Sequence, residues 1–125
     1  MKARRAAEAV QYFESTLGSV RDARAAVAGF GLDDDMDQRA RLVLSELATN
    51  AVLHTGAPFV VRLRYDGRYL HIEVEDHSAA LPSRVAESTM GGRGLRIVEA
   101  LAARWGAERR GGGKVVWADL ARPGA

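Results

Sequence analysis

The sequence has no cysteine, which removes disulfides and thiolate metal sites from consideration. It has no apolar run near the ~18 residues that a membrane-spanning helix needs, and no signal peptide opens it, so a cytoplasmic protein without a membrane partner is expected. Aromatic residues make up only 6% and proline occurs three times, so the core must come mainly from Leu, Val, Ile and Ala. No charge of one sign dominates. Lys and Arg number 18 against 16 Asp and Glu, and the net charge of +2 lifts the pI to about 9.4 without forming the dense basic stripe that tracks a phosphate backbone. The short basic groups, Lys2 with Arg4 and Arg5, and Arg109 with Arg110, read as solvated surface, and no nucleic-acid partner is expected. His54, His71 and His77 are too scattered to suggest zinc.

What is present is apolar material in quantity. Hydrophobic residues reach 47% of a chain of 125, enough for one packed core, and a single domain over 1–125 is expected with residues 1–8 loosely held. Ala9 to Phe13 reads as a short strand. Ser19 reads as an N-cap, with Asp22 three residues on, before a helix carrying Val20, Ala23, Val27 and Phe30 at helical spacing and ending at Gly29 and Gly31. Asp33, Asp34 and Asp35 suit a second helix start, running to about His54 with a stripe of Met36, Ala40, Val43, Leu44, Leu47 and Ala51, and stopped by Thr55, Gly56 and Pro58. Phe59 to Tyr65 and Tyr69 to Glu75 alternate around the turn Asp66-Gly67. A loop with Pro82 leads to Gly91-Gly92-Arg93-Gly94 and a helix from Leu95 to about Arg104. Trp105 to Arg109 and Lys114 to Leu120 bracket three glycines as a second hairpin. The order β-α-α-β-β-α-β-β, with hairpins in place of repeated βα units, predicts an α+β fold: a two-layer α/β sandwich whose mixed, mostly antiparallel sheet carries its helices on one face.

Several residues have the chemistry of a site. Glu46 and Asn50, four apart on the long helix, share one of its faces at the border of the buried stripe. A carboxylate there can accept a proton, and an amide oxygen can ligate a hard cation such as Mg²⁺. Taken alone, such a pair is as common on an ordinary exposed helix. Asp76, ending a strand, can accept from an exocyclic amino group, although Asp at a strand end is more often a turn former. Gly91, Gly92 and Gly94 stand at a helix start, where free N–H groups and the helix dipole favour a phosphate. Neither a Gly-Lys-Ser/Thr sequence nor a preceding strand accompanies them, which sets aside the common mononucleotide and dinucleotide loops. Arg93 offers a charge for a phosphate oxygen. His54 reads as a local cap or surface group, and Trp105 and Trp117 as packing residues on paired strands.

In combination these segments resemble the GHKL (Bergerat-fold, histidine kinase-like) ATP-binding domains, and among them the anti-sigma-factor serine/threonine kinases. ELATNAVLH resembles the N-box, Asp76 stands where the family places its adenine-binding Asp, and GGRGLRIVEAL resembles the G2 box. The likeness covers roughly Ser19 to Leu120. It implies that Glu46 is the general base for a serine hydroxyl, that Asn50 ligates Mg²⁺ bridging the ATP phosphates, and that Asp76 accepts from the adenine amino group. It also implies that Gly92 and Gly94 bring N–H groups to the phosphates while Gly91 hinges a lid, with Arg93 and Leu95 completing the nucleotide site. ATP and Mg²⁺ are the implied cofactors. The implied partners are a sigma factor, an anti-anti-sigma antagonist that receives the phosphate, and a second copy of the chain. The alternative is a non-catalytic module, with or without nucleotide, that regulates transcription by protein binding. Two positions depart from the family pattern: Ser78 stands for a Gly two residues after Asp76, and Lys114 follows Gly113 where a Thr is usual.

Overall fold

The computed structural model describes residues 7–77 and 93–124. Along the chain they form β1 (Ala7–Phe13), α1 (Leu17–Ala25), a 3-10 turn (Ala26–Phe30), α2 (Asp34–Thr55), β2 (Phe59–Tyr65), β3 (Tyr69–Asp76), α3 (Arg93–Leu101), β4 (Arg104–Arg110) and β5 (Gly113–Ala121). The five strands make one sheet in the order β1-β2-β3-β5-β4, and all four described pairings are antiparallel. The expectation of an α+β fold with a mostly antiparallel sheet holds.

The period-2 pattern of the strands decides which side of the sheet the helices cover. Phe59, Val61 and Leu63 of β2, Leu70, Ile72 and Val74 of β3, and Val116, Ala118 and Leu120 of β5 share one side and are buried in one cluster with the stripes of α1 and α2. Met36, Ala40, Val43, Leu44, Leu47 and Ala51, spaced as the sequence predicts, are all within that cluster. Truncating one of its fully buried large side chains, such as Leu44 or Ile72, to Ala is worth about 2–5 kcal/mol. The other side of the sheet carries mostly charged residues.

Local chemistry places the elements. Asp33 caps α2 by accepting the Met36 N–H at 2.8 Å, and Gly56 ends it in the left-handed region at φ 65°. Asp66 Oδ1 accepts the N–H groups of Arg68 and Tyr69, each at 2.8 Å, and fixes the β2–β3 turn. These hydrogen bonds, led by that from Tyr69, hold the Asp66 carboxyl below its ordinary pKa.

Four sequence expectations need correction at their boundaries. The N-cap of α1 is Thr16, not Ser19: Thr16 is extended and its Oγ1 accepts the Ser19 N–H at 3.1 Å, so Ser19 lies inside the first turn and Asp22 has no part in a capping box. β1 begins at Ala7, because Ala7 and Glu8 pair with Tyr65 and Arg64 of β2, so these two residues are not loose. β3 continues one residue further, to Asp76, which pairs with Phe59 and Lys114. The helix expected to reach Arg104 ends at Leu101, since Arg104 is drawn into β4 opposite Asp119, with which it forms a 3.1 Å ion pair.

Candidate functional site

Two links tie the ends of α2 to the sheet. Near the start of α2, Arg39 donates to the Ala121 carbonyl at 3.1 Å and fixes that end of the helix at the end of β5. At its other end only residues 56–58 separate α2 from Phe59, the register partner of Asp76. Asn50 lies five residues before the C-terminal end of α2 at Thr55. Asn50 and Asp76 thus lie on elements linked through residues 56–58 and the pairing of Phe59 with Asp76.

Asn50 is half-buried, and its Nδ2 is fully shielded without a hydrogen-bond partner among the described residues. A shielded amide without a partner costs free energy, about 1–3 kcal/mol for a neutral group, unless something else supplies the contact. A half-turn of the amide exchanges its NH₂ for its carbonyl oxygen, so the group can serve a donor or a cation. Asp76 ends β3 with 2% of its surface exposed and lies on the helix-facing side, in line with Leu70, Ile72 and Val74. Lys114, its partner across the β3–β5 ladder, is 5% exposed on that same side. Gly113, just before it, lets β5 close on the end of β3: a Cβ there would meet the Asp76 carbonyl oxygen at 2.0 Å and the His77 Cα at 3.1 Å. Only glycine fits such an approach.

Glu46 lies one turn before Asn50, half-buried, and looks into a groove of about 810 Å³ between α1 and α2. Arg21, Arg24, Arg41 and Ser45 share the groove, with Leu42 and Ala25 as its apolar part. Arg41 is paired with Asp37 at 2.7 Å. The groove is basic, with a carboxylate at one end, so it suits an acidic protein surface brought beside a proton acceptor.

The remaining predicted residues are placed unequally. Arg93, Gly94 and Leu95 form the first turn of α3, which packs against α2. Gly91, Gly92 and Ser78, with the loop through Pro82, lie outside the described residues. Trp117 stacks on His71 at 5.8 Å between ring centroids, and Trp105 is packed against the core, as expected of packing residues.

Sequence reasoning missed a cluster on the open side of the sheet. His71 Nδ1 lies 2.5 Å from Asp119 Oδ1 and its Nε2 2.8 Å from Glu73 Oε2, while Arg110 donates to Glu73 at 3.0 Å. Burial pushes the Glu73 carboxyl up, but hydrogen bonds from His71 and Arg110 outweigh it and hold its pKa below the ordinary 4.5. Hydrogen bonds to Glu73 and then Glu108 raise Arg110. The alternation of β3 places His71 and Glu73 on one face, but no local signal connects them to Asp119, 48 residues away.

The sequence profile of the histidine kinase-like ATPase domain family matches residues 13–120. A crystal structure of the RsbU and RsbW domains of a Mycobacterium tuberculosis protein superposes with a TM-score of 0.66 at 23% identity, over 94% of this chain and 33% of that one. The chain thus spans a third of the length of that structure, and the likeness is one of fold. No curated protein matches the chain.

Proposed function

The chain belongs to the histidine kinase-like ATPase domain family, and on that premise we propose that it binds ATP with Mg²⁺ at the cleft end marked by Asn50 and Asp76 and passes the γ-phosphate to a serine of a partner protein. The observation that carries this reading is the Asn50 Nδ2 on α2, shielded and without a hydrogen-bond partner among the described residues, in a chain whose Asp76 is buried on the helix-facing side of the sheet. A polar donor set of this kind, with the glycine-dependent closure at Gly113, fits a nucleotide better than it fits an apolar core.

In this reading Asp76 accepts from the adenine amino group and Asn50 offers its oxygen to Mg²⁺, which supplies charge neutralisation at the phosphates. The first turn of α3, at Arg93, Gly94 and Leu95, with Gly91 and Gly92 before it, receives the phosphates. Glu46 takes the proton as the serine oxygen bonds to the γ-phosphorus. The bond from that phosphorus to the bridging oxygen breaks, and ADP leaves with the bond's electron pair. Phosphoryl transfer asks little covalent chemistry of a protein beyond positioning and charge neutralisation, which these groups provide. The partners in this reading are an anti-anti-sigma antagonist carrying the serine and a sigma factor, with the chain acting as a homodimer in the bacterial cytoplasm.

The test is calorimetric titration with ATP, with and without Mg²⁺, beside Asp76→Asn. Metal-dependent binding that falls at least tenfold in Asp76→Asn supports the reading, and absence of binding at millimolar ATP overturns it. A second, non-catalytic reading has nucleotide binding gate partner capture alone. It is motivated by Lys114, a buried Lys beside Asp76. Phosphate transfer from ATP that is lost in Glu46→Ala excludes it.

A further inference from the structure

The two edges of the sheet are built differently. β4, at one edge, carries Arg104, Glu108, Arg109 and Arg110 among its seven residues. Charged side chains of this kind keep a foreign strand from pairing. β1, at the other edge, reads AEAVQYF, with Glu8 as its one charge and no proline. It pairs with β2 along all seven of its residues, without a bulge, and no strand lies beyond it among the described residues. On the open side of the sheet Val10 is 54% and Tyr12 76% exposed. A long, regular and mostly uncharged edge with apolar side chains is a template for strand addition.

We propose that β1 is the homodimer interface: it pairs antiparallel with β1 of a second copy about a two-fold axis at Val10, joining two five-stranded sheets into one. The inference gives the homodimer of the proposed function its surface and does not depend on nucleotide. Directly opposed residues of an antiparallel pair point to the same side of the sheet, so the axis passes at a residue and not between two. Centring on Val10 is the one choice that pairs all seven residues. Val10 then faces Val10 of the second copy, Glu8 faces Tyr12, Ala9 faces Gln11 and Ala7 faces Phe13. Each small side chain meets a larger one, and the one carboxylate of the strand meets a phenolic donor and not its own copy. Beside Glu8 and Val10 the open face has a hollow of about 70 Å³, bounded by Arg62, Arg64 and His71, that gives the incoming tyrosine room. This self-complementarity favours a second copy over a foreign strand. Pairing of β1 with β4 is head-to-tail, does not close, and meets the charged edge.

The experiment uses the full chain, which has no cysteine, so one introduced thiol reports on one position. Sedimentation equilibrium from micromolar to near-millimolar protein compares the wild type, Val10→Lys, Val10→Glu and an equimolar mixture of the two variants. Like charges directly opposite each other weaken a strand pair and opposite charges support it. The wild type is expected to dimerise with concentration, each variant to dimerise at least about tenfold more weakly, and the mixture to recover. Opposed Cα atoms in an antiparallel pair stand about 4.5–5.5 Å apart, within the span of a disulfide. Val10→Cys should therefore cross-link the dimer on mild oxidation. Tyr12→Cys should not, because its two copies are offset by about 13 Å along the strands. Should a charged variant fail to fold by urea titration, the two cysteine variants decide alone. A dimer that survives both charges, or cross-links equally at both thiols, places the interface elsewhere and overturns the proposal while leaving the homodimer. A wild-type chain that stays monomeric throughout overturns both and leaves the ATP reading to its own titration.

Discussion

Asp76 and Lys114 are direct register partners at the adjoining ends of β3 and β5, and both are buried on the helix-facing side. Opposite charges in this relation usually close into an ion pair, whose net worth in a buried setting is small. A carboxylate and an ammonium placed side by side at the end of a cleft can also serve a ligand. Stability and recognition compete at this end of the sheet, and the residues around it bear the cost.

Gly113 is where that competition is sharpest. A Cβ at this position would stand 2.0 Å from the Asp76 carbonyl oxygen, a backbone atom that cannot swing aside. Gly113→Ala is expected to push β5 away from β3, lowering stability by about 1–3 kcal/mol, as forced overpacking does. Because the strain falls on the backbone of Asp76, ATP affinity should drop as well, by at least tenfold. Urea unfolding and calorimetry on the same preparation measure both. Gly106→Ala is the matched control, since its Cβ would press on the Trp117 ring at 3.0 Å, away from Asp76. It should affect stability and spare the nucleotide.

The long helix and the paired strands were legible because their signals are local. Asp33 caps, Gly56 terminates, and the spacing of Met36 to Ala51 repeats with the helical period. Glu46 and Asn50 were legible for the same reason: a four-residue spacing fixes a shared face without knowledge of the rest of the chain. What failed to show were the features made by distant pairings. Ala7 and Glu8 carry no strand signal of their own and are ordered by β2. Arg104 continues a helical pattern but is claimed by Asp119. His71, with Asp119 48 residues away, joins a cluster that depends on β3 and β5 being neighbours. Lys114 was visible as an unusual residue, but its burial follows from the register alone.

That open-face cluster has a pH consequence. Glu73 has a folded-state pKa held below 4.5. A carboxyl lowered in this way binds its proton less readily in the folded chain than in the unfolded one. Its contribution to stability is complete above 4.5 and is lost as the pH falls through the lower folded value. Unfolding free energy measured by urea between about pH 6 and pH 3 should decline at the acid end. Glu73→Gln removes the titrating group and should make that decline shallower. Arg110→Met, which deletes one of the hydrogen bonds that lower Glu73, should flatten it in part. Superimposable slopes for the wild type and Glu73→Gln would show that this carboxyl carries no linkage.

Asn50 gives the clearest separation of function from stability. Its Nδ2 is shielded and partnerless among the described residues, while Leu47 and Ala51 on the same helix are packed in the core. A residue kept only for packing would be better as an apolar side chain of the same size, because the amide loses its water and receives nothing in return. Asn50→Leu is therefore expected to leave the unfolding free energy unchanged or to raise it by up to about 1 kcal/mol. If the amide oxygen holds Mg²⁺ at the phosphates, the same variant should abolish the difference between ATP affinities measured with and without the metal. Asn50→Asp provides the converse test: it keeps an oxygen ligand and adds charge, so metal dependence should survive while stability falls, since a shielded carboxylate without a partner costs more than an amide. The two variants thus move stability and metal dependence in opposite directions. A merely structural Asn50 predicts the reverse for Asn50→Leu, a loss of stability with metal dependence retained.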